Sequence, residues 1–299
     1  MQDRFTGVMT PLLTPYNDDF SIAEDLYLDH ASACLAGGAH YLSPFGTTSE
    51  ATSHSVAERM RMAELLISTG TARPDQLMPG TGLCNLSETV QLSRHAVELG
   101  CAAVMTLPPF FFVAAPDEGM YRYFSTLIER VGSDTLKICL YNIPQNTGIG
   151  ISPALAARLN EAFPEVVAAY KDSSGDWDNT EAVIRAAPGI SVFPGSESMM
   201  LRAMALGGGG CISASCNSNV MGIRAMYDLA RAGDIAGAEA LLPQIDAHRA
   251  AVQGGGLIPG LKALKAHQTG DARWLNLRPP LLPATLDMAG PLAETILEA

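Results

Sequence analysis

The feature that most constrains the fold is a pattern repeated along most of the chain: a short apolar run, a turn, and then an amphipathic stretch. Such apolar runs are typical of buried strands, and the amphipathic stretches have helical spacing. Their alternation predicts a parallel sheet covered by helices. The predicted strands span residues 7–10, 40–43, 77–80, 102–107, 136–141, 166–170, 190–193 and 210–213.

Eight such β/α units in about 230 residues indicate an α/β protein with a (β/α)8 TIM barrel and additional C-terminal helices. We expect residues 1–233 to form the barrel. Residues 234–299 are expected to form a C-terminal helical extension that packs on it as part of a single structural unit, with a glycine break at 254–256. A doubly wound open sheet is the alternative, although no GxGxxG follows the first strand to favour it.

Composition narrows the classes of function. Hydrophobic residues make up 47% and charged residues 17% of the 299, which favours a compact enzyme with a large core. The net charge of −12, without a cluster of basic residues, argues against nucleic-acid binding, which needs a basic face. We expect no membrane partner, because no apolar segment reaches the ~20 residues that span a bilayer. The six cysteines lack CxxC spacing and no N-terminal signal is evident, which predicts a cytoplasmic protein with reduced thiols.

A lysine stands where the sixth apolar run ends. Lys171 follows residues 166–170, and Gly175 marks the turn beyond it. Parallel α/β proteins place their chemistry at the carboxyl ends of strands. Burial disfavours the ammonium form of a lysine, and a neutral amine can condense with a ketone to give a Schiff base. The alternative is a structural lysine that pairs with Asp172 or extends to water.

Several polar residues follow other predicted strands. Thr47 and Thr48 lie in a glycine-led turn, where N–H groups and hydroxyls can bind a carboxylate or simply cap a helix. Tyr141 ends the fifth strand, and its phenol could relay protons or merely sit at the barrel rim. The segment 195–197 and Ser213 could hydrogen-bond a polyhydroxylated ligand.

Metal dependence is not expected. The six histidines form no HxH or HExxH pattern, and only His40 lies near a predicted strand. A zinc-dependent aldolase would need several histidines near strand ends.

Four motifs, in this order and on these elements, resemble the dihydrodipicolinate synthase / N-acetylneuraminate lyase family over essentially the whole chain. The motifs are Gly46-Thr47-Thr48-Ser49-Glu50, Tyr141-Asn142-Ile143-Pro144, Lys171-Asp172-Ser173-Ser174-Gly175 and Gly195-Ser196-Glu197. The resemblance implies a (β/α)8 barrel in which a lysine forms a Schiff base with pyruvate or another 2-oxo acid.

The resemblance also implies roles for individual residues. Lys171 would be the Schiff-base lysine, Tyr141 the general acid/base, and Thr47 a member of the proton relay. The implied substrate-binding residues are Gly46, Thr48, Ser173, Gly195, Ser196, Glu197, Ile212 and Ser213. No cofactor beyond the covalent imine on Lys171 is implied, and family members are commonly homotetramers built as dimers of dimers.

Two departures from the synthase branch bear on the substrate. That branch carries a tyrosine that crosses a dimer interface, whereas the matching residue here is Phe112, within a run of three phenylalanines. It also carries an arginine that holds the aldehyde substrate's carboxylate, and Asn146 stands at that position. An amide cannot form the bidentate charged pair of a guanidinium, which argues against aspartate semialdehyde.

These features give a leading hypothesis and two alternatives. The segment 172–174 resembles branches that act on 2-keto-3-deoxy sugar acids, so we expect a pyruvate-releasing aldolase, or a related dehydratase, for such an acid. The first alternative is a 4-hydroxy-tetrahydrodipicolinate synthase with a different relay. The second is a non-catalytic 2-oxo-acid-binding protein, because the altered relay is compatible with lost turnover.

Overall fold

The computed structural model describes residues 5–288 and has the predicted α/β barrel architecture. Within these residues, the regular strands are β1 (Gly7–Thr10), β2 (Tyr41–Leu42), β3 (Val104–Thr106), β4 (Ile138–Asn142), β5 (Val167–Asp172), β6 (Ser191–Pro194) and β7 (Gly210–Ile212). All pair in parallel, in the orders β2-β1-β7 and β3-β4-β5-β6.

Two connections close these strands into a ring. On one side, residues 77–80 form single bridges from Leu77 to Leu42 and from Gly80 to Met105. On the other side, the Gly209 N–H donates to the Val192 carbonyl over 2.9 Å. The prediction of a regular third strand at 77–80 is therefore wrong in detail. Its proline, at position 79, has no N–H to donate to a ladder, so the segment pairs only at isolated points.

Helices cover the outside of the ring. In the described residues they are α1 (Glu24–Ala36), α2 (Val56–Ser68), α3 (Leu86–Glu98), α4 (Asp117–Val131), α5 (Pro144–Thr147), α6 (Pro153–Ala162), α7 (Trp177–Ala186), α8 (Met200–Ala205), α9 (Cys216–Arg231), α10 (Ile235–Gly254) and α11 (Leu257–Thr269). None of them is long and apolar enough to cross a lipid bilayer.

Side-chain oxygens cap the N-termini of several of these helices. Ser152 caps α6, where its hydroxyl accepts from the Leu155 N–H over 3.1 Å. Asn85 caps α3 in place of the nearby Ser87, and its side-chain oxygen accepts from the Glu88 N–H over 2.8 Å. Both residue types are good N-caps, and only the path of the chain selects between them.

The alternation of side chains along each strand produces two cores. The side chains on one face of each strand point into the ring, and those on the other face pack against the helices. The inner core contains Met9, Met105, Cys139, Tyr141, Ala169, Phe193 and Ile212. The outer layer includes Val8, Leu140, Tyr170 and Val192. The inner core fills the barrel below the carboxyl ends of the strands, and this leaves those ends free to carry polar groups.

One buried amide joins the first strand to the last barrel helix. Asn217, in the first turn of α9, accepts from the Leu13 N–H over 3.0 Å and donates to the Pro11 carbonyl over 2.9 Å. The same amide oxygen accepts from Nε2 of His30, on α1, over 2.8 Å. Burial, together with the charge of Lys265, lowers the pKa of His30 to about 3. His30 is therefore neutral in the folded protein.

The neutrality of His30 predicts a loss of stability in mild acid. An unfolded histidine takes up a proton near pH 6.5 and the folded His30 does not, so its contribution is complete above pH 6.5 and is lost as the pH falls towards 3. At pH 5 the loss is about 2 kcal/mol. Urea unfolding at pH 7 and pH 5 measures it. The His30→Gln variant should lose correspondingly less stability between these pH values, whereas the exposed control His267→Gln should behave like the wild type. Equal pH dependence in His30→Gln and the wild type would contradict the assignment.

Candidate active site

A cavity with a volume of about 420 Å³ lies at the carboxyl ends of the strands. Of the predicted site residues, it is lined by Thr47, Thr48, Tyr141, Lys171, Ser173, Gly195, Ser196 and Ile212. These residues lie at or after the ends of five strands, β2, β4, β5, β6 and β7, as the parallel architecture requires. Gly46, Glu197 and Ser213 are not among the lining residues.

Lys171 lies near the end of β5 with only 3% of its surface exposed. It is in register with Tyr141 on β4 and Phe193 on β6. Its Nζ atom is 4.1 Å from the centroid of the Tyr141 ring. Within residues 5–288, no carboxylate lies within ion-pairing distance of this amine. The reading of Lys171 as a partner of Asp172 is therefore not supported by the geometry.

A hydrogen bond connects the phenol beside Lys171 to the turn after β2. The Tyr141 hydroxyl and the Thr47 hydroxyl are 3.0 Å apart, and either can donate. The two residues are far apart in sequence, and the closed ring brings them together. A lysine amine, a phenol and a threonine hydroxyl that lie next to one another in space can pass a proton to and from a bound carbonyl compound.

The turn that carries Thr47 and Thr48 is a short 3₁₀ helix, Thr47–Ser49, that begins directly after Gly46. The first N–H groups of any helix have no partner within it. Here the residues that carry these N–H groups, Thr47 and Thr48, both line the cavity. This arrangement suits a carboxylate, whose oxygens accept several hydrogen bonds at once.

Asp172, next to the lysine, has a structural role. One carboxylate oxygen accepts from Asn142 Nδ2, on β4, and from the Ser174 N–H, both over 3.0 Å. The other accepts from Asn179 Nδ2 over 2.8 Å and from the Thr180 hydroxyl over 2.7 Å, both on α7. The residues that follow Tyr141 and Lys171 are thereby tied together and to a helix. This network holds the two functional strands in register.

The sequence reasoning missed Arg249, which lines the cavity from α10. Its Nη1 atom donates to Glu197 Oε2 over 2.9 Å and lies 3.2 Å from the Ser213 hydroxyl, which also donates to that carboxylate. Glu197 is fully buried. Glu197 and Ser213, predicted to contact substrate directly, therefore lie next to the cavity and hold Arg249 in it. No motif or strand end marks Arg249 in the sequence, since it lies within a helical stretch.

The two residues that depart from the synthase pattern lie in different places. Asn146 lines the cavity together with its neighbour Gln145, whose amide donates to the Ser173 carbonyl over 2.7 Å. Phe112 lies on the surface and is 70% exposed, and its neighbour Phe111 is 76% exposed.

Within residues 5–288, no three histidine, cysteine, aspartate or glutamate side chains are grouped so that they could hold a metal ion. His40, the one histidine near a predicted strand, accepts from the Val8 N–H over 3.0 Å. It helps to join β1 to the start of β2.

Replacing Asp172 tests the network that holds the strands. In Asp172→Ala, the donors of Asn142, Asn179 and Thr180 lose their acceptor in a buried site, which should cost about 3 kcal/mol or more in unfolding free energy. Thermal or urea unfolding measures this loss. Asp178→Ala, which changes an exposed aspartate on the same helix, is the control and should cost much less. Equal stability of the two variants would show that the network does not stabilise the strand ends.

Comparison with known proteins agrees with this geometry. The model of the dihydrodipicolinate synthetase family matches residues 4–299. An uncharacterized DapA-like lyase of Chloroflexus aurantiacus is 34% identical, with 93% of this chain and 91% of that protein aligned. A 4-hydroxy-tetrahydrodipicolinate synthase of Thermus thermophilus is 33% identical, over 94% and 92%.

A solved structure gives the same result. The crystal structure of dihydrodipicolinate synthase from Agrobacterium tumefaciens superposes with a TM-score of 0.89 and 29% identity, covering 98% of this chain and 99% of that one. The chain belongs to the dihydrodipicolinate synthase family and, like the members of that family, is a lyase.

Proposed function

We propose that this lyase forms a Schiff base between Lys171 and a 2-oxo acid, and that it releases pyruvate from a 2-keto-3-deoxy sugar acid. The observation that carries the proposal is the buried Lys171 amine, which has no carboxylate partner in the described chain and lies beside the Tyr141–Thr47 pair. Buried lysines are normally paired with a carboxylate, and an amine without such a partner is free to react with a bound carbonyl group.

The first step is formation of the imine. Lys171 Nζ attacks the C2 carbonyl carbon, and the carbinolamine that results loses water to give a protonated imine. Tyr141 is placed to move protons to and from the C2 oxygen, with Thr47 as its hydrogen-bond partner. The Thr47–Thr48 turn binds the C1 carboxylate and so orients the carbonyl towards Lys171.

The second step uses the imine to accept electrons. When the C3–C4 bond breaks, the C4 hydroxyl gives its proton to Tyr141, which gave its own proton to the departing water in the first step. An aldehyde leaves, and the electron pair moves through C3 to form an enamine. Protonation of C3 and hydrolysis of the imine then release pyruvate. In a dehydratase, C3 would lose a proton and C4 its hydroxyl group as water. Neither route needs a metal ion or an organic cofactor, because the imine supplies the electron sink.

The charges around the cavity support a hydroxylated substrate. The Arg249 guanidinium is neutralised by Glu197, and Asn146 offers an amide in place of a cation. In the described residues, this leaves Lys171 as the one cavity-lining cation without a carboxylate partner. The other polar lining groups include Gln145, Ser173, Ser196 and Gln253, which suit hydroxyls better than a second carboxylate.

Synthesis of 4-hydroxy-tetrahydrodipicolinate is the second candidate, and the names of the relatives from Thermus thermophilus and Agrobacterium tumefaciens favour it. It would require aspartate semialdehyde to bind without an arginine at position 146. A third possibility, a binding protein without turnover, is favoured only by the lack of a hydroxyl at Phe112.

We further propose that the protein assembles as a homotetramer in the cytoplasm. The exposed apolar run at Phe111, Phe112 and Val113 supports an assembly in which a second subunit covers it.

Borohydride trapping tests the Schiff base. Incubation with pyruvate and sodium borohydride should add one reduced pyruvyl group, which peptide mapping places on Lys171. Lys171→Ala should show no adduct and no lyase activity, whereas Lys137→Ala, which removes a lysine before β4, should be trapped like the wild type. An unmodified wild-type protein that is folded, or full activity in Lys171→Ala, would overturn the mechanism.

A substrate comparison tests the second half of the proposal. Pyruvate release from 2-keto-3-deoxy sugar acids, followed with coupled lactate dehydrogenase, should exceed condensation of pyruvate with aspartate semialdehyde by roughly 100-fold or more in kcat/KM. Phe112→Tyr should change the rate little, since the Thr47–Tyr141 pair is complete without it. Efficient condensation with aspartate semialdehyde would instead establish the synthase.

A further inference from the structure

A buried ion pair outside the cavity connects the C-terminal helices to the turn that carries Thr47 and Thr48. Glu50 ends this turn, and Lys262 lies in α11; both side chains are fully buried. Lys262 Nζ donates to Glu50 Oε1 and to the Asn276 carbonyl, the latter over 2.9 Å. The Arg278 N–H donates to the second oxygen of Glu50 over 3.0 Å. Both oxygens of Glu50 are thus held by the segment after residue 256.

The backbone at Glu50 needs such support. Its φ of 57° and ψ of 40° are left-handed, a conformation that costs a residue other than glycine about 1 kcal/mol or more. The residue links the 3₁₀ helix Thr47–Ser49 to the next one, Ala51–Ser53. A change in its backbone would therefore move Thr47 and Thr48 directly.

A second set of contacts holds the same residue from its backbone. His54 Nδ1 is 3.0 Å from the Glu50 carbonyl, and its Nε2 is 3.0 Å from the Tyr16 hydroxyl. Because a carbonyl only accepts, Nδ1 carries the hydrogen and Nε2 accepts from Tyr16. Burial and the charge of Arg278 lower the pKa of His54 to about 4, which keeps it neutral.

Tyr16 connects the two sets of contacts. The Nζ atom of Lys262 lies 4.3 Å from the centroid of its ring. The Tyr16 carbonyl accepts from Asn276 Nδ2 over 3.0 Å. The strand-end loop after β1, the turn after β2 and the C-terminal helices thus meet at Glu50.

We propose that Lys262 is a positioning residue, which holds Glu50 and through it the Thr47–Thr48 turn in the geometry that binds the carboxylate of the 2-oxo acid. This inference rests on the proposed function. Lys262 is not among the residues that line the cavity, so it acts through Glu50. A pair of apolar residues could fill the same buried space with equal or greater stability, which is why stability alone does not account for the ion pair.

Under this role, loss of Lys262 weakens binding of the carboxylate but leaves the reactivity of Lys171 unchanged. A ketone without a carboxylate should be trapped by borohydride equally well whether or not the turn is held. Hydroxyacetone is a suitable probe, because it has the methyl ketone of pyruvate with a hydroxymethyl group in place of the carboxylate.

Trapping at pH 7 with both ketones is the experiment. In Lys262→Met, the pyruvate concentration for half-maximal trapping should rise roughly tenfold or more, with the rate at saturation and the trapping of hydroxyacetone unchanged. Glu50→Asp should show the same effect, because the shorter side chain keeps its charge but cannot reach both partners. Lys265→Met, which removes a half-buried lysine from the same helix, is the matched control and should trap both ketones like the wild type.

Other outcomes overturn the proposal in distinguishable ways. Wild-type affinity for pyruvate in folded Lys262→Met or Glu50→Asp would exclude the positioning role. Equal losses with pyruvate and hydroxyacetone, or failure of both variants to fold, would assign the ion pair to stability alone. Absence of any pyruvate adduct on the wild type would instead remove the proposed function on which the inference rests.

Discussion

Closure of the parallel strands into a ring is the constraint on which the rest of the structure depends. A closed ring brings every carboxyl end to one rim, so residues far apart in sequence, such as Thr47 and Tyr141, come within hydrogen-bonding distance. The ring closes even where strand geometry is poor. At residues 77–80, single bridges replace a ladder, because Pro79 has no N–H to donate, yet the bridges still connect the neighbouring strands.

Two lysines, Lys171 and Lys262, are buried, and the groups around their amines differ. Lys262 has a carboxylate, a carbonyl and an aromatic ring around its amine, which offset the loss of water. Lys171 has the Tyr141 ring and an open cavity, with no carboxylate from the described residues. The first arrangement suits a fixed structural contact. The second leaves an amine available to a ligand, and this difference in surroundings is the physical basis for proposing Lys171 as the nucleophile.

The C-terminal helices are part of the site as well as an addition to the barrel. Arg249 on α10 lines the cavity, and Lys262 on α11 holds the turn after β2. The neighbouring polar residues then have defined tasks: Glu197 and Ser213 fix Arg249, and Asp172 fixes the ends of β4 and β5. The result is a cavity whose polar groups are held in place by hydrogen bonds to buried neighbours, as expected for a site that orients a small substrate.

The sequence by itself determined the order of strands and helices and the placement of the candidate residues at strand ends. Both follow from local patterns: apolar periodicity, proline and glycine at the turns, and polar residues where an apolar run stops. Lys171 and Tyr141 could be found in this way because each lies at the end of an apolar run. Thr47 and Thr48 could be found because they lie in the glycine-led turn that follows the second run.

Only the tertiary structure decided which polar groups meet. Arg249 and Lys262 lie within helices, where the sequence pattern marks a face but not the partner across it. The tertiary structure also decided that Glu197 pairs with Arg249. It decided as well that Asp172 accepts hydrogen bonds from Asn142 and from α7 and does not pair with the lysine beside it. Such pairings join residues that can lie more than two hundred positions apart, and local sequence carries no information about them.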